Sequence, residues 1–270
     1  MTSDARSYLF VPGNRAERFA KALASAADAV VLDLEDAVAV DDKPAAREAV
    51  ARCLATADAA QHRRIVVRIN DEASPCFADD LAMLAEAGAA AAMLPKAEQV
   101  ATLKLLRAAC PGMGIIALIE SARGVLNANV LAAAEGVLRL AFGTLDYSLD
   151  LGLSGDPLGL DHAASVLALA SRAADLPSPV AGVTPEFTDP APLLAEFSRA
   201  RAHGFGAKLC IHPRQVAPIH AALQPGADEL AWARRVLEAA AHGGAVQLDG
   251  RMVDRPVIER ARRLLERARP

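Results

Sequence analysis

Short apolar runs alternate along the chain with stretches in which apolar residues recur at helical spacing. Eight such runs occur, and each ends abruptly at charged or polar residues or at a proline. Continuous apolar runs are typical of parallel strands buried on both faces, and their alternation with helices is typical of βα units. The pattern predicts an α/β fold, a (β/α)8 TIM barrel, with strands at residues 8–11, 29–32, 65–67, 89–94, 115–119, 137–142, 179–183 and 207–211.

The segments between these strands carry helix signals. Asn14 is expected to cap a first helix that runs to about Ser25, and Pro44 fits the first turn of a second helix that ends near Leu54. The glycine-rich segment 146–161 is predicted to be a loop over the mouth of the barrel. Further barrel helices are predicted at residues 77–87, 97–109, 123–134, 161–174, 189–202 and 213–223.

The barrel pattern ends well before the C-terminus. Two amphipathic helices follow, near residues 226–241 and 255–268, and the glycine-containing segment 243–250 joins them. No Pro/Gly/Ser-rich linker divides the chain, and its 270 residues are close to the roughly 250 typical of this barrel. We therefore predict a barrel catalytic domain over residues 1–223 and a C-terminal helical extension over residues 224–270, which could pack on its own barrel or on a neighbouring subunit.

Charge and composition exclude several classes of protein. The chain has 29 basic and 33 acidic residues and no basic stripe, so nucleic acid is not an expected partner. No apolar run approaches the roughly 20 residues that span a bilayer, and no signal peptide is recognisable. The four cysteines form no C-x-x-C pair and are expected to be buried free thiols. A soluble, cytoplasmic protein is expected.

Two carboxylates are predicted to face each other at the mouth, since residues just past the strand ends ring the active site of such barrels. Glu120 and Asp146 end the fifth and sixth strands, which are neighbours around the barrel. Two carboxylates with water and substrate oxygens suit a hard cation such as Mg²⁺, whereas zinc would need His or Cys. The alternative is structural, with each carboxylate capping the next helix or pairing with an arginine such as Arg123.

Further charged residues are expected in the same ring. Arg68 ends the third strand, and its planar fork matches a substrate carboxylate; the alternative is a salt bridge to Asp33 or Glu35. Asp33 and Glu35 are two residues apart and share one face of the second strand, where they could support a metal, act as a base or balance nearby cations. Lys96 follows the fourth strand and could contact substrate or pair with Glu35 or Glu120.

Motifs for several other chemistries are missing. The sequence contains neither a G-x-G-x-x-G fingerprint nor a P-loop, and it has no G-x-S-x-G elbow. His212 closes the last strand, where a lone histidine is more often structural than catalytic.

An ordered set of segments resembles one family. From about residue 6 to the C-terminus, the chain contains RSYLFVPGNRAERFAKAL, VVLDLEDAV, VVRIN, MLPKAE, ALIESARGV, LAFGTLDYSLDLG, CIHPRQV and GRMVDRPVIERA. Together they resemble the citrate lyase β-subunit-like branch of the HpcH/HpaI aldolase superfamily, whose relatives include malyl-CoA, citramalyl-CoA and 3-hydroxy-3-methylglutaryl-CoA lyases. The resemblance implies a (β/α)8 barrel, usually a homotrimer or a multiple of a trimer, that uses Mg²⁺ to cleave or form a carbon–carbon bond in a 3-hydroxyacyl-CoA thioester.

The resemblance also implies roles for individual residues. Glu120 and Asp146 match the metal ligands, and Arg68 matches the arginine that binds the substrate carboxylate. Asp254 matches an aspartate that a neighbouring subunit's C-terminal segment delivers. Leu145 departs from the pattern, because many relatives carry an acid there, and this puts fine substrate choice in doubt. The candidate catalytic residues are therefore Asp254, Arg68 and Glu35, and the candidate substrate-binding residues are Arg68, Glu120, Lys96, Arg15 and Asp33.

The implied reaction is a reversible aldol/Claisen-type cleavage into a CoA thioester and a carbonyl acid. Asp254 would protonate the thioester enolate, and Glu35 or a metal-bound water would take the hydroxyl proton. Two alternatives stay open: a class II aldolase acting on free 2-keto acids, and a non-catalytic or acyl-carrier-dependent β subunit of a citrate lyase complex. The choice among citramalyl-, malyl-, citryl- and hydroxymethylglutaryl-CoA depends on pocket volume, which the sequence does not supply.

Overall fold

Eight parallel strands close into a barrel in chain order, which confirms the predicted fold class. The computed structural model describes residues 2–241, 246–248 and 251–268. Within these residues, no helix combines the length and apolar character needed to cross a membrane. The barrel strands are Ser7–Pro12 (β1), Ala29–Asp33 (β2), Ile65–Arg68 (β3), Ala91–Leu94 (β4), Gly114–Ile119 (β5), Val137–Phe142 (β6), Val180–Ala181 (β7) and Ala207–Cys210 (β8).

Helices connect these strands. They are Phe19–Leu23 (α1), Lys43–Thr56 (α2), Ala59–His62 (α3), Phe77–Ala87 (α4), Val100–Ala109 (α5), Ala122–Leu126 (α6), Ala128–Ala132 (α7), Thr144–Leu151 (α8), Asp161–Ala173 (α9), Pro190–Ala202 (α10) and Val216–Leu223 (α11).

Both faces of the barrel strands are buried, which explains their continuous apolar runs. Alternate residues point to the barrel interior, where Val31, Val66 and Met93 pack in one central cluster. Val30 and Leu32, on the opposite face of β2, are also fully buried. A strand without a solvent-facing side shows no regular polar alternation, and most charged residues lie beyond its end, although Arg139 and Lys208 are buried within β6 and β8.

Residues 144–151 form helix α8, where the sequence analysis predicted a loop. The glycines of this segment suggested a flexible loop. In the structure Gly152 instead adopts a left-handed backbone conformation (φ 62°) and ends the helix. Asp146 consequently lies in the first turn of α8 and not at the end of β6, which stops at Phe142.

Two other predicted helices differ in the structure. Asn14 does not cap the first helix; a 3-10 turn begins at Ala16, and the Asn14 side chain donates to Asp42 at 3.2 Å. The helix predicted over residues 123–134 is broken at Asn127 into α6 and α7. Both differences concern element boundaries, which depend on tertiary contacts more than the element type does.

The described chain divides into two compact units between Ile219 and His220. The second unit contains the helices Ala227–Ala241 (α12) and Arg255–Arg267 (α13) and an antiparallel pair of strands, Val246–Leu248 (β9) and Arg251–Val253 (β10). Its core is small and includes the buried residues Ala233, Val236, Val253, Ala261 and Leu264. The predicted glycine-containing joint falls partly on residues 242–245 and 249–250, which lie outside the described residues.

Candidate active site

The C-terminal ends of the barrel strands surround a cavity of about 380 Å³. Four of the predicted site residues line it together: Asp33, Arg68, Glu120 and Asp146. Its size is in the range of small-molecule sites, about 300–1,000 Å³. Apolar side chains complete the wall, namely Phe10, Leu118, Leu145, Val183, Leu209 and Ile211.

Arg68 is held in a bidentate salt bridge by the neighbouring strand. Its Nε and Nη2 atoms donate to the two carboxylate oxygens of Asp33, each at 2.7 Å, because these residues are partners in the β2–β3 register. The guanidinium carbon lies 4.9 Å from the centre of the Phe10 ring, a cation–π contact. Burial opposes the charge, but the hydrogen bonds and charge of Asp33 outweigh it and raise the pKa of Arg68. The fork is therefore charged, oriented and exposed to the cavity.

Glu35 is a buried carboxyl that titrates near neutral pH. Burial raises its pKa to about 7, although the charge of Arg68 acts in the opposite direction. Its Oε2 lies 2.8 Å from Nη1 of Arg68, an ion pair without hydrogen-bond alignment. A carboxyl with such a pKa can both accept and return a proton under physiological conditions, as general acid–base catalysis requires.

Lys96 joins the site through its backbone. Its φ of 45° is in the left-handed region, unusual for a residue with a side chain, and it turns the peptide N–H toward Glu120. That N–H donates to Oε2 of Glu120 at 2.9 Å. The ammonium lies 3.7 Å from Glu35 and 3.4 Å from Asp71. Lys96 thus meets both acids that were its predicted structural partners, with its ammonium on Glu35 and its amide on Glu120.

Glu120 directly follows β5 and is only 5% exposed. Burial raises its pKa to about 8, and the charges of Glu35 and Asp146 add to this effect, while the N–H of Lys96 opposes it. The next strand end approaches closely, since a Cβ at Gly143 would lie 2.5 Å from Oε1 of Glu120. Only glycine fits there, and it allows the β6–α8 connection to bring Asp146 to the same cavity.

Glu120 and Asp146 have the donor chemistry for a hard divalent cation. The described residues contain no group of three or more His, Cys, Asp or Glu arranged for a metal. Two protein carboxylates nevertheless suffice for Mg²⁺, which keeps several water or substrate oxygens in its coordination sphere. The same burial and acid–acid repulsion that raise the pKa of Glu120 would be relieved by a bound cation. These residues therefore fit Mg²⁺.

Known proteins resemble this chain over most of its length. A profile of the HpcH/HpaI aldolase/citrate lyase family matches residues 6–213, and one of C–C bond lyases of the TIM-barrel fold matches residues 166–270. The chain is 40% identical to a citrate lyase subunit beta-like protein of Deinococcus radiodurans, with 96% of each chain covered. This chain belongs to the HpcH/HpaI aldolase/citrate lyase family. It is accordingly an enzyme of the carbon–carbon lyase class.

Two other members of this family are similar over nearly the whole chain. A (3S)-malyl-CoA thioesterase of Cereibacter sphaeroides is 37% identical, and the alignment covers 97% of this chain and 94% of the thioesterase. The crystal structure of CitE from Mycobacterium tuberculosis, in complex with magnesium, acetoacetate and coenzyme A, matches with a TM-score of 0.89. Its sequence is 38% identical, with 99% of both chains covered.

Two candidate site residues, besides Glu35 and Lys96, do not line the cavity. Arg15 has about half of its side chain exposed and pairs with Glu17 at 2.6 Å. Asp254 lies in the C-terminal unit, where it is exposed and caps α13 by accepting the N–H of Val257 at 3.2 Å. The roles of both residues stay predictions.

A buried polar network behind Glu35 was missed by the sequence analysis. Lys43, only 7% exposed, donates to the carbonyls of Leu34 and Glu35 at 2.7 and 2.8 Å and to the amide oxygen of Asn70 at 2.6 Å. Asn70 in turn donates from its backbone N–H, at 2.9 Å, and from its side chain, at 2.6 Å, to Asp80, which is fully buried.

The network fixes the loop that carries Glu35, and part of its signal was present in the sequence. Asn70 belongs to the VVRIN segment, and an asparagine at a buried strand end needs partners. Lys43 precedes Pro44, and at this point the sequence pattern indicated only the start of a helix.

Proposed function

We propose that this protein is a Mg²⁺-dependent carbon–carbon lyase acting on a 3-hydroxyacyl-CoA thioester. The substrate class includes citramalyl-, malyl-, citryl- and hydroxymethylglutaryl-CoA, and the products are a CoA thioester and a carbonyl acid. The observation that carries the proposal is one cavity lined by the acids Glu120 and Asp146 and by the oriented fork of Arg68. Magnesium, acetoacetate and coenzyme A in the relative's crystal structure support the same chemistry.

The charges in the cavity suggest a role for each residue. Magnesium held by Glu120 and Asp146 would supply Lewis-acid and templating chemistry. Arg68 would bind the substrate carboxylate through the N–H groups of Nη1 and Nη2 that do not donate to Asp33. Because Asp33 already fixes the fork, little side-chain entropy is lost when the carboxylate binds.

Two proton transfers complete the reaction. Glu35, with its pKa of about 7 and its contact with Arg68, is our candidate for accepting the hydroxyl proton of the substrate. Asp254 from a neighbouring subunit is our candidate for protonating the thioester enolate. This second assignment requires a homotrimer or a multiple of a trimer, and it gives the C-terminal unit a place over the neighbour's barrel mouth. Proton transfers of this kind are typically worth about 10²–10⁴-fold in rate.

A thioesterase is the second candidate, because a malyl-CoA thioesterase is among the similar proteins. The two reactions give different products from one substrate. Carbon–carbon cleavage yields acetyl-CoA or a homologue together with a carbonyl acid, whereas hydrolysis yields free CoA and the intact hydroxy acid. The aldolase alternative uses no thioester, and a dependent citrate lyase subunit would not turn over free CoA thioesters alone.

The test is a panel of the four hydroxyacyl-CoA thioesters with purified protein and Mg²⁺. Mass spectrometry of CoA species and a hydrazone assay for carbonyl acids should detect stoichiometric lyase products for at least one thioester. Glu120→Gln should abolish this turnover, while Glu86→Gln, a control on exposed surface of α4, should not change it. Free CoA with no carbonyl acid would instead support the thioesterase, and no turnover of any thioester would refute both.

A further inference from the structure

A second cavity, of about 340 Å³, adjoins the mouth cavity. Thr144, Leu145 and Val183 line both spaces. Thr144 also packs closely on Gly182 of the second cavity, since a Cβ at Gly182 would lie 2.5 Å from Oγ1 of Thr144. The two cavities thus meet at the start of α8, next to Asp146.

The second cavity lies outside the barrel wall. Val180 and Leu209 belong to the barrel interior, so their neighbours along the strands, Ala181 and Lys208, point to the opposite side and line the second cavity. The facing walls come from α9 and α10, through residues such as Ala164 and Ala200. The space therefore lies between strands β6–β8 and the helix layer and is partly open to solvent.

Four charged side chains of this cavity are already paired with one another. Lys208, only 2% exposed, donates to the carbonyl of Gly182 and lies 3.7 Å from Glu196. Arg199 makes a bidentate pair with Asp161, at 2.7 and 2.8 Å. A charged ligand would have to break such pairs, at a cost that a partly buried site does not repay easily.

Much of the cavity wall that a ligand could contact is hydrocarbon. Phe142, Leu160, Ala164, Ala200 and Phe205 contribute apolar walls. A water molecule takes about 30 Å³ and a methylene group a similar volume, so the space admits a chain of several carbons. Leu145, which is 53% exposed and lines both cavities, provides an apolar path from the mouth.

We propose that this cavity receives an alkyl substituent of the carbonyl acid, so that the enzyme accepts 2-oxo acids with unbranched chains of about four to six carbons. This inference rests on the proposed function. The place where the two cavities meet indicates that the group entering the second cavity belongs to the carbonyl acid and not to the acyl-CoA. Thr144 and Leu145 immediately precede Asp146, which the proposed function assigns to the ion that would chelate the oxygens of the carbonyl acid. The substituent on that carbonyl carbon is therefore the group closest to the second cavity.

Condensation with acetyl-CoA across a series of 2-oxo acids tests the proposal. From pyruvate through 2-oxobutyrate to 2-oxohexanoate, kcat/KM should rise by about fourfold per added methylene group, the gain expected for burying each one. Ala200→Phe narrows the cavity, and it should lower the ratio of kcat/KM for 2-oxohexanoate over pyruvate by at least tenfold. Ala202→Phe is the matched control, because Ala202 lies on the same helix but is exposed and outside the cavity; it should leave that ratio unchanged.

Binding gives a readout independent of turnover. Calorimetry with Mg²⁺ should show 2-oxohexanoate binding more tightly than pyruvate to the wild type, and this preference should disappear in Ala200→Phe. If that variant does not fold, Ala200→Leu replaces it. Two outcomes would overturn the inference and leave the proposed function standing. One is turnover of pyruvate with no increase in kcat/KM along the series, and the other is the same ratio of kcat/KM for 2-oxohexanoate over pyruvate in Ala200→Phe and Ala202→Phe. Failure of every acid with acetyl-CoA would instead count against the proposed function itself.

Discussion

Replacing Lys43 by methionine tests whether the buried network supports the active-site loop. Methionine keeps the apolar stem but removes the ammonium, which donates to the carbonyls of Leu34 and Glu35 and to Asn70. The amide oxygen of Asn70, which is only 3% exposed, then loses its donor. The carbonyls of Leu34 and Glu35 each lose one of two donors, since they also accept from the Asn70 side chain and from the N–H of Val38, both at 3.1 Å. Loss of a hydrogen bond from a charged group costs about 1.5–3 kcal/mol, part of which is returned because a buried charge is also removed.

We therefore expect Lys43→Met to lower the free energy of unfolding by about 3 kcal/mol. For a protein of this size, the midpoint of thermal unfolding should fall by about 6–12 °C. Catalysis should suffer as well, because the backbone of Glu35 loses its anchor and the carboxyl loses its position beside Arg68. We expect kcat/KM for the best thioester to decrease by about tenfold or more, with the defect persisting at temperatures where the variant is fully folded.

Thermal unfolding followed by circular dichroism, together with the thioester assay, measures both effects. Lys104→Met is the matched control, since Lys104 is exposed on α5 and its loss should change stability by no more than about 0.5 kcal/mol. A Lys43→Met protein with wild-type unfolding temperature and wild-type kcat/KM would show that the network does not hold the loop. A loss of stability without a catalytic defect in the folded variant would restrict Lys43 to a purely structural role.

Four further predictions concern the cavity and the C-terminal unit. Because the pKa of Glu120 is raised to about 8, Mg²⁺ must displace a proton at lower pH, so calorimetric affinity should rise with pH up to about 8 and then level off. The same shift means that metal-free wild type loses stability as pH rises from about 4.5 to 8. In urea titrations Glu120→Gln should lose the part of this dependence that Glu120 contributes, keep the part that Glu35 contributes up to about pH 7, and be more stable by a few kcal/mol above pH 8. Arg68→Lys keeps the charge but not the fork, so kcat/KM should fall at least tenfold; an unchanged value would contradict bidentate recognition. Asp254→Ala should lose turnover but still bind Mg²⁺. Mixed oligomers of Asp254→Ala and Glu120→Ala chains should regain activity, because one site can then combine an intact Glu120 with a neighbour's intact Asp254. Mixed oligomers without activity would show that Asp254 acts in the site of its own chain or in no site.

The sequence by itself determined the barrel and the location of its mouth. Strands buried on both faces are mainly apolar, so the charged residues that follow each run lie near a strand end, as Glu120 does directly after β5. The parallel order then places those ends on one side of the barrel. These inferences depend only on the order of apolar and charged residues along the chain, so they need no knowledge of tertiary contacts.

Contacts between distant segments were decided only by the tertiary structure. The sequence did not decide whether Arg68 binds a substrate or pairs with Asp33. The β2–β3 register pairs it with Asp33, and its side chain still lines the cavity. Gly152 resembled part of a loop, and only its left-handed backbone identifies it as the end of α8, which brings Asp146 inward. Lys43, Asn70 and Asp80 meet because strand register and helix packing converge behind one loop. Periodicity says which face of an element is buried, but packing alone decides what that face touches and which spaces between elements stay empty.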